Sequence, residues 1–420
     1  MVSDGNEILE ILSSEIKGRF GVFRIKSPDI FEKCRRFNLA DKARELGLYP
    51  YFLEFEKNEG PIAYINGEKK IMLGSNNYLG LTHHPRVKEE VISAVKEYGT
   101  SATGSRFLNG TLKLHLELEE ELAEFVKKEK ALVFSTGYQT NIGILSALLG
   151  PNDYIICDSK CHASIIDAIQ LGLAKKVNFR HNDVSSLEEV LKSIESDKGK
   201  LIVVDGVYSM DGDIAPLPEI YEVAQKYQAR IFVDDAHGLG VLGYGGRGTA
   251  NSFDMDDRVD LIMGTFSKSF ASIGGFVAGD RYVVDFIQHF GRSIIFSAAL
   301  PPPALAAVRA SLHLMKENPQ MAEELRKKGE KYRNELKSIG LDTGNSQTPI
   351  VPIILRDEVM TILFWKRLFD EGVYTNCVIP PAVPQGQSLL RTSVMLTHED
   401  SQLEFAVEKI HKVAKELGVV

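Results

Sequence analysis

Residues 201–234 read LIVVDGVYSMDGDIAPLPEIYEVAQKYQARIFVD. An apolar, β-branched run, Leu201 to Asp205, leads into a loop of glycine and acid. Pro218 to Tyr227 then carries apolar residues at helical spacing, and a second apolar run, Ile231 to Asp234, follows. Strand, crossover helix and strand make a pair of parallel neighbours, and neither run alternates apolar with polar residues. Both strands are therefore expected to be buried on both faces. Each ends in an aspartate.

The same rhythm extends in both directions. Ala131 to Ser135, Tyr154 to Cys157, Leu261 to Thr265 and Gly275 to Ala278 read as further buried strands. Gly137 to Leu149, His162 to Leu171 and Ser186 to Ile194 read as helices, with Asp183, Ser185 and Pro216 where caps and first turns favour them. This pattern predicts a large α/β domain, a mostly parallel central sheet covered by helices. After Pro303 the chain changes to long charged helices, Ala304 to Lys316 and Met321 to Ile339, a mixed segment from Pro349 to Val394 and a closing helix from Glu399 to Leu417. That is a smaller C-terminal α+β domain. The expected division is an N-terminal helical arm (1–60), a large α/β domain (61–300) and the C-terminal domain (301–420).

The 420 residues carry 49 Lys+Arg against 57 Asp+Glu, a formal charge of -8, which excludes a strongly basic nucleic-acid binder. With 44% apolar and 25% charged residues the chain is not predominantly disordered. Its greasiest stretch, Ser293 to Val308, is cut by Pro301, Pro302 and Pro303, so no membrane span is expected. Asp4, Glu7 and Glu10 stand where a signal peptide needs positive charge, and a cytoplasmic address is expected. Cys34, Cys157, Cys161 and Cys377 lack paired metal-ligand spacing and read as reduced thiols, with no metal site. The one basic stretch, Lys17 to Arg44, holds nine Lys/Arg against three Asp/Glu. It reads either as a solvated arm packing on a partner subunit or as a recruiter of an anionic ligand or the inner membrane face.

Chemistry in an open parallel sheet gathers beyond the carboxyl ends of its strands. Here those ends deliver Asp234-Asp235-Ala-His237 and Thr265-Phe-Ser267-Lys268-Ser269. A lysine at a buried strand end is partly desolvated, which favours the neutral amine and Schiff-base chemistry. Taken alone Lys268 is a loop cation, and Asp234 a cap. Together they fit pyridoxal phosphate, which needs a lysine for its aldehyde, a carboxylate for its pyridinium proton and donors for its phosphate. Ser135-Thr136-Gly137-Tyr138 ends one strand and opens a helix whose N-H groups and dipole could supply those donors. Gly238-Leu-Gly240-Val-Leu-Gly243 matches a dinucleotide fingerprint literally, but the residues that follow show no helical period to present an N-terminus. A nicotinamide oxidoreductase and a non-catalytic partner subunit are the readings from other classes.

With these residues the chain, from about Tyr51 onward, resembles the α-oxoamine synthases, a branch of the fold-type-I pyridoxal phosphate enzymes. Further matching motifs are Gly74-Ser-Asn-Asn77-Tyr78-Leu-Gly80, Asp158-Ser-Lys-Cys-His162-Ala-Ser164, Gly206-Val-Tyr-Ser209-Met-Asp-Gly212-Asp213 and Phe296-Ser297-Ala-Ala-Leu-Pro301-Pro302. Gly104 to Thr111, Pro380 to Pro384 and Leu390-Arg391 most resemble the serine-using bacterial branch. Asn76 departs from it, standing where an aromatic is expected, as does Val378, where some members carry a second arginine.

The resemblance implies a PLP-dependent transferase that condenses L-serine with a long-chain acyl-CoA and releases CoA and carbon dioxide. Glycine- and alanine-using relatives share that core. It further implies Lys268 as the Schiff-base lysine and base, Asp234 at the ring nitrogen, His162 stacked on the ring, and His237 and Ser209 near its phenolic oxygen. Gly137, Tyr138 and Thr265 would hold the phosphate, with Ser297 reaching in from a neighbouring subunit of a homodimer. Asn77 and Arg391 would meet the substrate carboxylate. Without the family, His162 reads equally as a helix cap, and His237 and Ser209 as turn residues.

Overall fold

The computed structural model describes residues 26–420. Strands β1 (Lys57–Asn58), β2 (Ile62–Ile65) and β3 (Glu68–Met72) form a meander. Then come β4 (Lys130–Phe134), β5 (Tyr154–Asp158), β6 (Lys175–Phe179), β7 (Lys200–Asp205), β8 (Arg230–Asp234), β9 (Leu261–Thr265) and β10 (Gly275–Gly279). These seven make one sheet in the order β4-β10-β9-β8-β7-β5-β6. β10 runs antiparallel to both neighbours, and every other pairing is parallel. Gly275 to Ala278 thus departs from the simple parallel reading. A return from β9 through the short turn at Ser267–Gly274 leaves no room for a crossover helix.

Burial on both faces follows from the side-chain alternation of each strand. Ile202, Val204, Ile231, Val233 and Ile262 join the helices Val184–Lys192, Leu217–Lys226 and Pro302–Glu317 in one apolar cluster. Val203, Phe232 and Met263 point the other way, into a cluster with the helices Gly137–Leu148 and Ala163–Leu171. β6 escapes a reading by hydrophobicity because it is the sheet edge, exposed along most of its length.

The C-terminal strands are β11 (Ile350–Arg356), β12 (Val373–Tyr374), β13 (Asn376–Val378) and β14 (Ser388–Ser393). β14 lies between β11 and β13, and β12 adds in parallel to β3. The chain near residue 61 therefore belongs to a sheet completed from the far end of the sequence. Ile62, Ile71 and Leu73 are buried with Tyr332, Trp365 and Val413. The last four long helices are Pro302–Glu317, Met321–Ser338, Glu358–Asp370 and Asp400–Glu416, the third lying inside the mixed segment.

In the arm, only Glu32–Arg35 and Leu39–Glu45 are helical among the described residues, and the chain is irregular from there to β1. Lys17 to Ile25 of the basic stretch lie outside the described residues. Within the rest, Arg35 pairs with Asp29 and Glu32, Arg36 with Glu32, and Arg44 with Asp41.

Candidate active site

Parallel strands present their carboxyl ends at a common edge, and the register here sets Asp205 of β7 directly beside Asp234 of β8. Beyond that edge lies a cavity of about 350 Å³, of the size that takes a small organic molecule. Lys268, Asp234, His162, His237, Gly137, Tyr138 and Thr265 all line it. Residues separated by up to 131 positions in the chain thus meet in one place because four strands and one helix end there.

The floor is a chain of hydrogen bonds. Asn141 Nδ2 donates to Asp234 Oδ2 at 2.7 Å and to Ser164 Oγ at 2.8 Å, and Ser164 Oγ lies 2.7 Å from His162 Nδ1. The backbone N-H of Ser164 also donates to that Nδ1, at 3.2 Å. Nδ1 is therefore the acceptor nitrogen of a neutral ring. His162 caps its helix and at the same time lines the cavity. Surrounding protein withholds water and lowers its pKa, Asp234 opposing and Lys268 adding to the effect.

Asp205 is buried, and burial together with the charge of Asp234 pushes its carboxyl well above the usual range. Asp205 is thus the neutral acid of the pair, while Asp234 accepts from Asn141 Nδ2 and from the N-H of Ala236. Burial holds the Lys268 amine down to about 8, against the pull of Asp234 and with help from Arg391. A substantial fraction is neutral near pH 8, as a nucleophilic amine requires.

At the opposite wall the helix Gly137–Leu148 begins. Thr136 caps it by accepting from Gln139 N, which leaves the first N-H groups facing the cavity. A Cβ at Gly137 would lie 2.7 Å from Thr265 Oγ1, so glycine is what brings the helix end against β9. The Tyr138 hydroxyl donates to Asp167.

His237 connects to a second layer. Its Nδ1 is 2.7 Å from Tyr78 Oη, and Arg391 Nη2 donates to that oxygen at 3.2 Å and to Asn76 Oδ1 at 2.9 Å. With its oxygen accepting from the guanidinium, the phenol has two acceptors for its proton, Asn76 Oδ1 at 3.3 Å and His237 Nδ1 at 2.7 Å; given to the nearer one, the proton leaves Nε2 as the protonated nitrogen of the neutral ring. Burial, with Lys268 and Arg391 adding positive charge, keeps His237 well below its ordinary pKa and therefore neutral. Arg391, on the fully buried β14, also gives Nε to the carbonyl of Ser209 at 2.5 Å. Its Nη1 has no hydrogen-bond partner among the described residues.

Four expected residues lie outside the cavity lining: Arg391, which reaches it through Tyr78 and His237, and Ser209, Asn77 and Ser297. Ser209 faces an adjoining cavity of about 570 Å³ that Met210 and Pro381–Pro384 also line. Asn77 donates to Thr82 Oγ1 at 2.8 Å, and its Oδ1 is buried without a partner. Ser297 accepts from Gln139 Nε2 at 3.0 Å. Conversely, sequence reasoning left out Tyr78, Asn76, Asn141, Ser164 and Asp205 as site residues. Asn141 had a signal, standing one helical turn after Gly137 on the same face.

The residues fit pyridoxal phosphate. A carboxylate held by Asn141, an amine held near neutrality, a flat neutral imidazole and unoccupied helix N-H groups surround one space, and Asn141 Oδ1 is a buried acceptor with no partner. The glycines at 238, 240 and 243 serve another purpose. A Cβ at Gly238 would collide with Oδ1 of the buried Asp235, which accepts from Thr249, one at Gly240 would meet Ser269 and one at Gly243 Asn251; a 3-10 turn, Tyr244–Gly246, and the four-residue helix Thr249–Ser252 follow.

Residues 68–410 match the family Aminotransferase class I and II. The chain is 46% identical to serine palmitoyltransferase of Sphingobacterium spiritivorum over 92% of its own length and 97% of the relative's. It is 40% identical to 8-amino-7-oxononanoate synthase of Thermoanaerobacter pseudethanolicus over 90% and 96%. A solved serine palmitoyltransferase variant from S. paucimobilis with bound PLP and myriocin superposes with a TM-score of 0.90 at 36% identity, covering 93% of this chain and all of that one. Cavity, fold and likeness agree: the chain belongs to the aminotransferase class I and II family, in its pyridoxal phosphate-dependent α-oxoamine synthase branch.

Proposed function

We propose that the protein joins L-serine to a long-chain acyl-CoA, palmitoyl-CoA above all, giving 3-oxosphinganine, CoA and carbon dioxide. The observation that carries this reading is the convergence of Lys268, Asp234, His162 and His237 on one cavity, with Arg391 linked to it through Tyr78. The new bond forms between serine Cα and the acyl carbon. The thioester C-S bond breaks with its electrons leaving on CoA, the carboxylate departs as carbon dioxide, and a proton returns to Cα.

Pyridoxal phosphate, when bound, supplies the electron-withdrawing ring that makes this carbon acidic. The chain's own groups do the rest. Lys268 holds the cofactor and moves the proton at Cα. Asp234, held by Asn141 beside the neutral Asp205, would retain the proton of the ring nitrogen. His162 supports the ring plane, and His237 donates from Nε2. Gly137, Tyr138 and Thr265 take the phosphate with the helix N-terminus. Arg391 turns its unpaired Nη1 to the substrate carboxylate, beside Asn77, and sets which bond at Cα stands across the ring.

A homodimer completes the proposal, with Ser297 of the partner subunit reaching the phosphate. Its support is a rim of exposed apolar side chains. Ser105 bridges to Ala298, which gathers Phe107 (60% exposed), Leu108 (77%) and Phe296 (72%) on one side of the site. We further propose that this is a cytoplasmic enzyme of three parts, arm, large domain and small domain. No helix among the described residues is long and apolar enough to cross a membrane.

Titrating the holoenzyme with serine, alanine and glycine while following its visible spectrum tests the amino-acid preference. Serine should saturate at the lowest concentration and yield a long-chain 3-keto base by mass spectrometry. Saturation by alanine or glycine instead would move the protein to the alanine- or glycine-using chemistry of the same family. A Tyr78→Phe variant should lose about tenfold in kcat and shift the bound cofactor's absorption, because His237 Nδ1 loses its buried partner, an interaction worth about 1–3 kcal/mol.

A further inference from the structure

His181 lies just past β6, between two loops that serve the site. Its Nδ1 is 3.0 Å from Asp158 Oδ1 and its Nε2 is 2.9 Å from Asp213 Oδ2. Ionised carboxylates only accept, so both ring nitrogens donate, and the ring that does this is the doubly protonated imidazolium. With both nitrogens protonated, the nearby group of His181, Asp211 and Asp213 has no imidazole lone pair to offer a metal.

Asp158 is held through both carboxylate oxygens and Asp213 through Oδ2, its Oδ1 being buried without a partner. Asp158, at the end of β5, also accepts from the N-H groups of Lys160 and Asn182, each at 2.8 Å. Asp213 accepts from Asn182 Nδ2 at 3.0 Å. The ring of Tyr208 stands edge-on to His181, with centroids 4.4 Å apart. The remaining charged neighbours are Asp211 and Lys160, paired with each other at 2.6 Å.

What these acids anchor is the active site. Asp158 opens the turn that delivers His162 four residues later. Asp213 closes the loop that carries Ser209, whose carbonyl takes Arg391 Nε. Gly212 in that loop accepts from Gln347 N and Thr348 Oγ1, which brings the C-terminal part of the chain against the same turn.

We propose that His181 is a positioning residue: clamped between Asp158 and Asp213, it pins the His162 turn to the Ser209 loop and so sets Arg391 against the catalytic cavity. Burial alone would lower the pKa of this histidine, but the two carboxylates overcome it and hold the group at about 9. A folded-state pKa raised from 6.5 gives stability that is complete below about pH 6.5 and is lost as pH rises through about 9. The kinetic part rests on the serine reading above; the pH-dependent part does not.

The test compares wild-type and His181→Gln holoenzyme, since glutamine keeps a donor but carries no charge. Melting temperature is followed from pH 6.5 to 10, and serine kinetics at pH 7.5. The wild type should melt about 2–5 °C above the variant at pH 6.5, with at least half of that gap gone by pH 10. Serine KM should rise about three- to tenfold in the variant while kcat changes less than about twofold. A gap constant across the pH range would overturn the imidazolium clamp. An unchanged serine KM alongside a pH-dependent gap would overturn the positioning role. If another amino acid proves to be the substrate, the KM comparison is made with that one, so failure of the substrate reading remains a separate result. Should His181→Gln not fold, Asp213→Asn reads the same window: its alkaline loss should move to lower pH, and an unmoved loss overturns the clamp.

Discussion

Lys268→Ala is expected to remove both the visible absorption of the purified protein and its turnover, the latter by more than about a thousandfold. The amine is asked to do two things, to join the cofactor and to move a proton at Cα, and proton transfer alone is worth about 10²–10⁴ in rate. No second lysine lines the cavity to replace it. Absorption spectroscopy and a CoA-release assay read the two losses independently. Retention of wild-type turnover would remove Lys268 from the chemistry. The lowered pKa adds a sign: below about pH 8 the amine of cofactor-free protein is mostly charged, so capture of pyridoxal phosphate should quicken as pH rises through about 8. A capture rate falling over that range would contradict the neutral-amine argument.

Arg391→Ala is expected to raise serine KM at least about tenfold, the loss of a charge-assisted contact worth roughly 1.5–3 kcal/mol. The same change strips partners from Asn76 Oδ1, the Tyr78 hydroxyl and the Ser209 carbonyl, so the effect should reach His237 through Tyr78. Arg391→Lys separates charge from geometry. A lysine restores one positive point but not the planar fork that holds three protein groups at once, and KM should stay raised. Unchanged serine kinetics in the alanine variant would place Arg391 outside the substrate site.

The strands of the large sheet are legible because they are buried on both faces. β7, β8 and β9 are continuous apolar runs, and their observed bounds differ by at most one residue from the sequence reading. β6 and the short β1 and β12 are not, since an edge strand or a two-residue strand draws its stability from partners instead of from its own pattern. The orientation of β10 is equally silent in the sequence, because an apolar five-residue run buries equally well in either direction.

The groups proposed to do chemistry show the same division. Lys268, Asp234, His162 and His237 are reactive side chains at strand ends and helix starts, and local sequence is enough to single them out and to suggest the cofactor. Their supports are ordinary polar residues. Nothing local distinguishes Asn141 from other helix-borne amides, or His181 from a turn histidine, until folding sets the one 2.7 Å from Asp234 and the other between Asp158 and Asp213. Identity of the reactive atoms is thus written in residue type and order. Their protonation states arise from burial and from neighbours tens to hundreds of positions away, because those interactions act through space and exist only once the chain has closed on itself.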